Sequence, residues 1–412
     1  MEFRKQVFEN GLTVVAERNP DAQSSALGFF VNTGSRDETQ GVFGVSHFLE
    51  HMVFKGTERR TAWDVNREFD ELGARYNAFT SEENTVYWAA VLPEYLPKIV
   101  DLLSDLMRPT LRAEDFEMEK NVILEEISMY DDHPSHTAYE KCMACHFGAH
   151  PLGQSVLGTT ESIGALTQGQ MLAYFGQRYR ASNLVLGVAG QFDWDELVES
   201  VAKHCGHWEN GASWRAARSA APSQALRVVT MPRLIQEHVV HMSAAPPAQS
   251  PDRFAADVLA TIVGDDTGSR LYWALIDPGL AESAEVSYLE FADSGVLATF
   301  VACAPEAVEK VLQMVQAILR NVTEQGVAAE ELVQAKNKIA SRLVLRSERP
   351  MGRLVPLGYN WVYRREYRTV EDDLKDLQAV TLDDVRRVAA QYPLDQITTV
   401  AVGPLEEVHR PA

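Results

Sequence analysis

The chain has 412 residues, 46% of them hydrophobic and 23% charged, and its 58 acidic side chains against 38 basic ones set a formal charge of −20. That length exceeds one ordinary core and predicts more than one domain, while the composition excludes a disordered or fibrous polymer. Such an acidic chain repels phosphate backbones, and no basic stripe offsets the repulsion, so no nucleic-acid partner is expected; basic peptides suit the charge better.

The first residues, Met1 to Gln6, carry charges where a secretion signal would need an apolar stretch. No run of eighteen apolar residues follows anywhere, so no membrane span is predicted and a cytoplasmic location is expected. Four cysteines are too few for a disulfide framework and are expected as reduced thiols.

From Val42 to Phe54 the sequence is apolar almost everywhere except at Ser46, His47, Glu50 and His51, which predicts a buried helix stopped at Lys55-Gly56. His47 and His51 are four apart and share a helical face, with Glu50 able to lean to the same side. Two imidazoles and a carboxylate are costly in such a helix unless something satisfies them, and a metal ion would. The order H-x-x-E-H is the reverse of the commoner H-E-x-x-H and is the inverzincin signature.

Catalytic zinc takes three protein ligands and keeps one position open, so a third ligand must come from elsewhere. The best candidate is Glu126, on a helix predicted from about Glu114 to Tyr130. Glu119 lies two turns earlier on the same face and is read as a carboxylate that orients a ligand or the water. One Zn2+ per chain is expected on His47, His51 and Glu126, with Glu50 taking the proton of the attacking water and passing it to the leaving amine.

Further along, Cys142-Met-Ala-Cys145-His146 fits the haem-attachment pattern, but Tyr139 to Phe147 continues a helix in which the cysteines serve as small apolar fillers. His133, His136 and His150 lack ligand spacing and are read as surface or capping residues. The Ala-rich polar stretch 209–224 has no helical or strand period and is the expected linker. Gly264 to Ser269 is a polar turn without the lysine of a phosphate loop.

Ala113 to Glu126 reads without a gap against Ala329 to Arg342, 216 residues on, and the same offset joins Pro134 to Pro350. Leu12-Thr-Val-Val15 resembles Leu226-Arg-Val-Val229, and Leu186 to Gly190 resembles Val400 to Gly403. One half duplicates the other, each opening and closing on β-rich segments around helices, which predicts an α+β fold of two similar domains, 1–208 and 225–412. Glu126 and Glu119 face Arg342 and Ala335 in the repeat, and a cation cannot ligate zinc, so the second domain is read as non-catalytic, with His238 and His241 in its sheet.

The segments His47 to Thr57, Asn77-Ala-Phe-Thr-Ser81 with Thr85-Val-Tyr87, Glu119 to Ile127, and His150-Pro-Leu-Gly153 resemble the pitrilysin/insulinase family. The likeness is greatest to its half-length members, similar to the catalytic subunit of mitochondrial processing peptidase. The resemblance implies mostly antiparallel sheets with helices packed on one face, arranged as a half-clam, and a zinc endopeptidase acting on peptides or unfolded segments in a chamber of two chains, a homodimer or a heterodimer with a related subunit. It also implies that Asn77, Ala78, Phe79 and Thr80 form an edge strand pairing with substrate. The alternative it leaves is a non-catalytic scaffold or assembly subunit that keeps the zinc site. Active relatives carry an Arg and a Tyr in the second domain; here Glu282 stands at the Tyr position and no Arg at the other. Either Arg270 or Tyr288 substitutes, another subunit supplies the pair, or turnover is weak.

Overall fold

The computed structural model of the chain describes residues 1–211, 215, 220 and 222–409. The chain opens with β1 (Glu2–Val7), β2 (Thr13–Arg18) and β3 (Ser25–Val31), then α1 (Val45–Val53) and α2 (Ala62–Glu71). There follow β4 (Arg75–Thr80), β5 (Thr85–Val91), α3 (Leu96–Leu106), α4 (Ala113–Asp131), α5 (Pro134–Phe147), α6 (Thr160–Ala165), α7 (Gln168–Arg178), β6 (Leu184–Gly190) and α8 (Trp194–Cys205). The second half runs β7 (Leu226–Thr230), β8 (Glu237–Ala245), α9 (Arg253–Gly264), β9 (Ser283–Glu290), β10 (Gly295–Cys303) and α10 (Val308–Gln325). It closes with α11 (Ala329–Ser347), α12 (Pro350–Arg364), α13 (Val370–Ala379), α14 (Leu382–Gln391) and β11 (Thr398–Gly403).

The sheets bear out the expected α+β class and make the duplication visible. One has the order β1-β2-β6-β3-β5-β4 and the other β7-β11-β8-β10-β9. In each one pair, β2–β6 or β7–β11, is parallel and every pairing after it is antiparallel, so the second sheet repeats the first without its leading strand. Helices α4 and α11 have the same length of 19 residues and start 216 residues apart, as the sequence match requires.

The chain forms two compact units, each drawing on both halves of the sequence. The first comprises Met1–Ile127, Gln154–Ala216 and Val344–Arg368, and the second Ser128–Gly153, Ala217–Leu343 and Thr369–Ala412. Helix α12 therefore belongs with the first sheet, where Leu354, Leu357 and Trp361 pack on Phe30, Val86 and Val185. Its counterpart α5 belongs with the second, where Ala138, Cys142 and Met143 pack on Val240, Met242 and Val400. In the second unit the opposite sheet face carries α9, α10 and α14 around Val239, Val301 and Ala401, so that sheet is covered on both faces rather than one. The apolar content of β11, buried at every residue, demands this.

Two close approaches fix α12. Arg353 donates through Nε and Nη2 to the carboxylate of Glu17 at 2.7 and 2.5 Å, and Tyr367 adds a third bond at 2.8 Å, so the buried charge of β2 is paired. At Gly358 a Cβ would meet the Phe30 ring at 2.1 Å, so only a glycine lets the helix lie this near to β3.

Of the expected linker 209–224, residues 212–214, 216–219 and 221 lie outside the described residues. Its described member Arg215 is nearly buried and donates to Asp37 at 3.0 and 2.5 Å and to the Glu83 carbonyl at 2.6 Å. His150, expected as a surface or capping residue, is buried rather than at the surface, and its Nδ1 accepts from the Leu152 amide of the turn that follows it at 3.3 Å. Cys142 lies buried on the helix expected for it, and all four cysteines are free. His238 and His241 sit in β8 as expected. Among the described residues no helix is long and apolar enough to cross a membrane.

Candidate metal centre

All the residues of this site belong to the first unit. Helix α1 begins after Gly44, whose φ of 87° suits a glycine, and no side chain of that residue can cap it. The buried carboxylate of Glu38 does so instead, accepting from the Gly44 and Ser46 amides at 2.6 and 2.7 Å, which satisfies two of the helix's orphan donors at its positive end. Burial nonetheless drives Glu38 up to about 8, against the pull of those amides. Beneath the same turn the Ser46 hydroxyl bonds Tyr174 at 2.7 Å and Tyr174 bonds Thr33 at 2.8 Å, so α1 is pinned along its buried face.

On that helix His47 and His51 present their rings edge to face, with centroids 4.7 Å apart. Helix α4 brings Glu126 to them: its Oε2 lies 3.8 Å from His47 Nε2 and 3.5 Å from His51 Nε2. Two donors each about 2.1 Å from a tetrahedral zinc ion stand about 3.4 Å apart, so both distances approach a tetrahedral edge. One ligand atom from each of the three residues can be chosen so that all lie within 4.8 Å of one another, a slightly open set. Glu126 Oε2 is buried and has no hydrogen-bond partner among the described residues, an orphan a cation would satisfy. Burial, reinforced by His51, lowers His47 to about 3, so its imidazole is neutral and keeps a lone pair for a metal.

Glu119 sits one layer further out. Its Oε1 is 2.9 Å from His51 Nδ1 and its Oε2 is 2.5 Å from Lys55 Nζ. Burial would raise this carboxyl, but the bonds from His51 and Lys55 outweigh it and hold it below its ordinary range. In return His51, which burial alone would lower, is raised by Glu119 and then Glu126. Lys55 is a residue that sequence reasoning took only for part of a helix stop; its signal was the four-residue step from His51.

Glu50 faces the edge strand β4. The Thr80 hydroxyl donates to its Oε2 at 2.6 Å, and burial raises its carboxyl while Thr80 and His51 partly offset the rise. The buried Tyr87 and Tyr179 hydroxyls, 2.9 Å apart, feel its charge. Asn77, Ala78, Phe79 and Thr80 all fall on β4, the last strand of its sheet, paired with Trp88, Tyr87, Val86 and Thr85 of β5. The Asn77 side chain turns back on the Ala78 amide at 2.9 Å.

In the second unit α9 occupies the stretch between β8 and β9 that α1 and α2 occupy between β3 and β4. Arg342, the counterpart of Glu126, pairs there with Asp265, which also accepts from Lys338 at 2.6 Å. An ion pair stands where the first unit gathers its candidate ligands. Arg270 is held by Glu331 at 2.7 and 2.8 Å and Tyr288 donates to the Pro246 carbonyl at 2.7 Å, so both carry structural bonds.

The first helix thus carries the H-x-x-E-H order found among zinc-peptidase motifs, and a second helix brings a glutamate to it. Residues 13–160, which hold all of these groups, match the family described as "Insulinase (Peptidase family M16)", and residues 165–339 match the "Peptidase M16 inactive domain". A protein of Mycobacterium tuberculosis named as an uncharacterized zinc protease is 34% identical over 411 residues, covering 97% of this chain and 93% of its own. The chain belongs to the insulinase family of peptidases. A Helicobacter pylori protease has the same fold, with a TM-score of 0.90 at 22% identity over 98% of this chain and 99% of that one. So has a chain of complex III2 from Candida albicans, with a TM-score of 0.86 at 18% identity over 98% and 96%.

Proposed function

We propose that this chain is a zinc-dependent endopeptidase that hydrolyses peptides or unfolded segments in a chamber shared with a second chain, identical or related. The observation that carries the reading is the convergence of His47 Nε2, His51 Nε2 and the orphaned Glu126 Oε2, with Glu50 on the same helix. One Zn2+ held by these three residues would supply Lewis acidity toward a carbonyl and make a water easier to deprotonate. Glu50, held by Thr80, takes the proton from the attacking water and returns it to the leaving amine. Glu119 keeps the His51 ring in the tautomer whose Nε2 is free. The open edge of β4, at Asn77 to Thr80, receives the substrate as an added strand, which selects extended backbone over particular side chains. The four free thiols accord with a reducing compartment such as the cytoplasm.

A second reading is a non-catalytic subunit of a larger assembly, favoured by the Candida albicans likeness and by the bonds that occupy Arg270 and Tyr288. Metal analysis and cleavage of a quenched peptide library separate the two. The peptidase reading expects about one zinc per chain and cleavage lost both to chelator and in Glu50→Gln. Stoichiometric zinc with no cleavage, even with a related partner chain added, establishes the subunit reading instead.

A further inference from the structure

Beside the candidate substrate strand lies a cavity of about 630 Å³ that the metal centre does not use. Arg75 of β4 with Trp88 and Ala90 of β5 form one wall, and Arg346, Glu348 and Arg349, where α11 gives way to α12, form the other. All belong to the first unit.

The strand register places this cavity on a defined side of any added strand. Arg75, Asn77 and Phe79 lie opposite Ala90, Trp88 and Val86, so these six share one face of the sheet. Phe79, Trp88, Ala90 and Val86 pack in the cluster under α12. Thr80, on the other face, reaches Glu50 on α1. A peptide laid along β4 sends alternate side chains to the α1 face and the α12 face. At the Arg75 end, roughly 17 Å along the strand from Thr80, those on the α12 face meet the cavity.

Its charge is opposite to that of the chain as a whole. Three guanidiniums face one carboxylate, and among the described residues Arg75, Arg346 and Arg349 have no hydrogen-bond or ion-pair partner for their side chains, although the protein carries −20. Trp88 and Met351 add apolar surface on which methylene groups can lie. Guanidinium forks match carboxylates in two parallel bonds, which a solvated lysine cannot do.

We propose that this cavity is a substrate subsite for an acidic side chain, Asp or Glu, about four to six residues from the bond that is cut. The assignment rests on the peptidase reading for its substrate. It also means that the global acidity, which favours basic peptides at long range, does not set the preference at this position.

The test uses the full-length, zinc-loaded protein and quenched peptides in which one Glu or one Gln is moved through the sequence. At one distal position Glu is expected to raise kcat/KM on the order of three- to tenfold over Gln, an advantage that shrinks with added salt because the arginines are exposed. In the double variant Arg346→Gln, Arg349→Gln the Glu-to-Gln ratio should fall to about one. A flat scan, or a preference that survives the double substitution, overturns the subsite. So does a preference that follows only the free C-terminal carboxylate and vanishes on amidation. If no peptide is cut, even with a related partner chain added, the peptidase reading fails by itself, and labelled Glu and Gln peptides are titrated against Glu50→Gln by fluorescence anisotropy. Equal affinities there overturn the subsite, whereas a Glu preference abolished by the double variant upholds it.

Discussion

Nδ1 of His51 stands 2.9 Å from Oε1 of Glu119, joining α1 to α4. Since that carboxyl is held in its ionised form, the ring nitrogen must donate, and Nε2 is left with its lone pair directed to the side where Glu126 lies. Glu119→Gln keeps the shape but weakens this orientation. Zinc affinity should fall about 10- to 100-fold, read by competition with a chromophoric chelator, while the fold is retained. Equal affinity in variant and parent would remove Glu119 from the centre.

Gly358 lies in mid-helix, where glycine costs stability, because α12 crosses over Phe30. Gly358→Ala should destabilise the first unit by about 1 to 3 kcal/mol in urea unfolding, since the ring and sheet must shift to admit a methyl group. The repeat places Cys142 at the corresponding point of α5, where the side chain already fits. Cys142→Ala should therefore cost less than Gly358→Ala; the reverse order would mean that the two helices do not approach their sheets equivalently.

His146 and His241 are buried in the second unit, bonded to Thr398 at 3.1 Å and Thr399 at 2.8 Å, and burial lowers each to about 4. An unfolded histidine titrates at about 6.5, so between those values the unfolded chain binds protons that the folded one refuses. Stability is complete above about pH 6.5, declines as pH falls toward about 4, and is not lowered further by these groups below that. Each contributes about 3 kcal/mol across the window. Unfolding free energies at pH 7 and 4.5 should differ accordingly, and the difference should shrink in His241→Gln. A pH-independent stability would contradict the buried neutral state of both rings.

The helix of His47, Glu50 and His51 could be read directly from Val42 to Phe54, because polar groups in an apolar helical run are expensive and their spacing names one face. The approach of Glu126, the candidate third ligand, was legible from spacing: Glu119 and Glu126 share a face of α4, and both meet α1 in the fold. The duplication was legible too, since Ala113 and Ala329 open helices of equal length. It also carried a negative result, because Arg342 at the position of Glu126 forms an ion pair instead of a ligand set.

Other features have no local signature. Glu38 caps α1 from across a loop, and Arg215 in a stretch without periodicity is drawn into a buried charge cluster with Asp37 and Glu83. The sequence by itself determined which polar side chains share one face of an apolar helix and which segments repeat, because helical spacing and desolvation cost are properties of a few neighbouring residues. Only the tertiary structure decided that α12 lies with the first sheet and α5 with the second. An apolar helix face reports that it must be covered, and which of two similar sheets covers it depends on contacts such as Arg353 with Glu17, 336 residues apart.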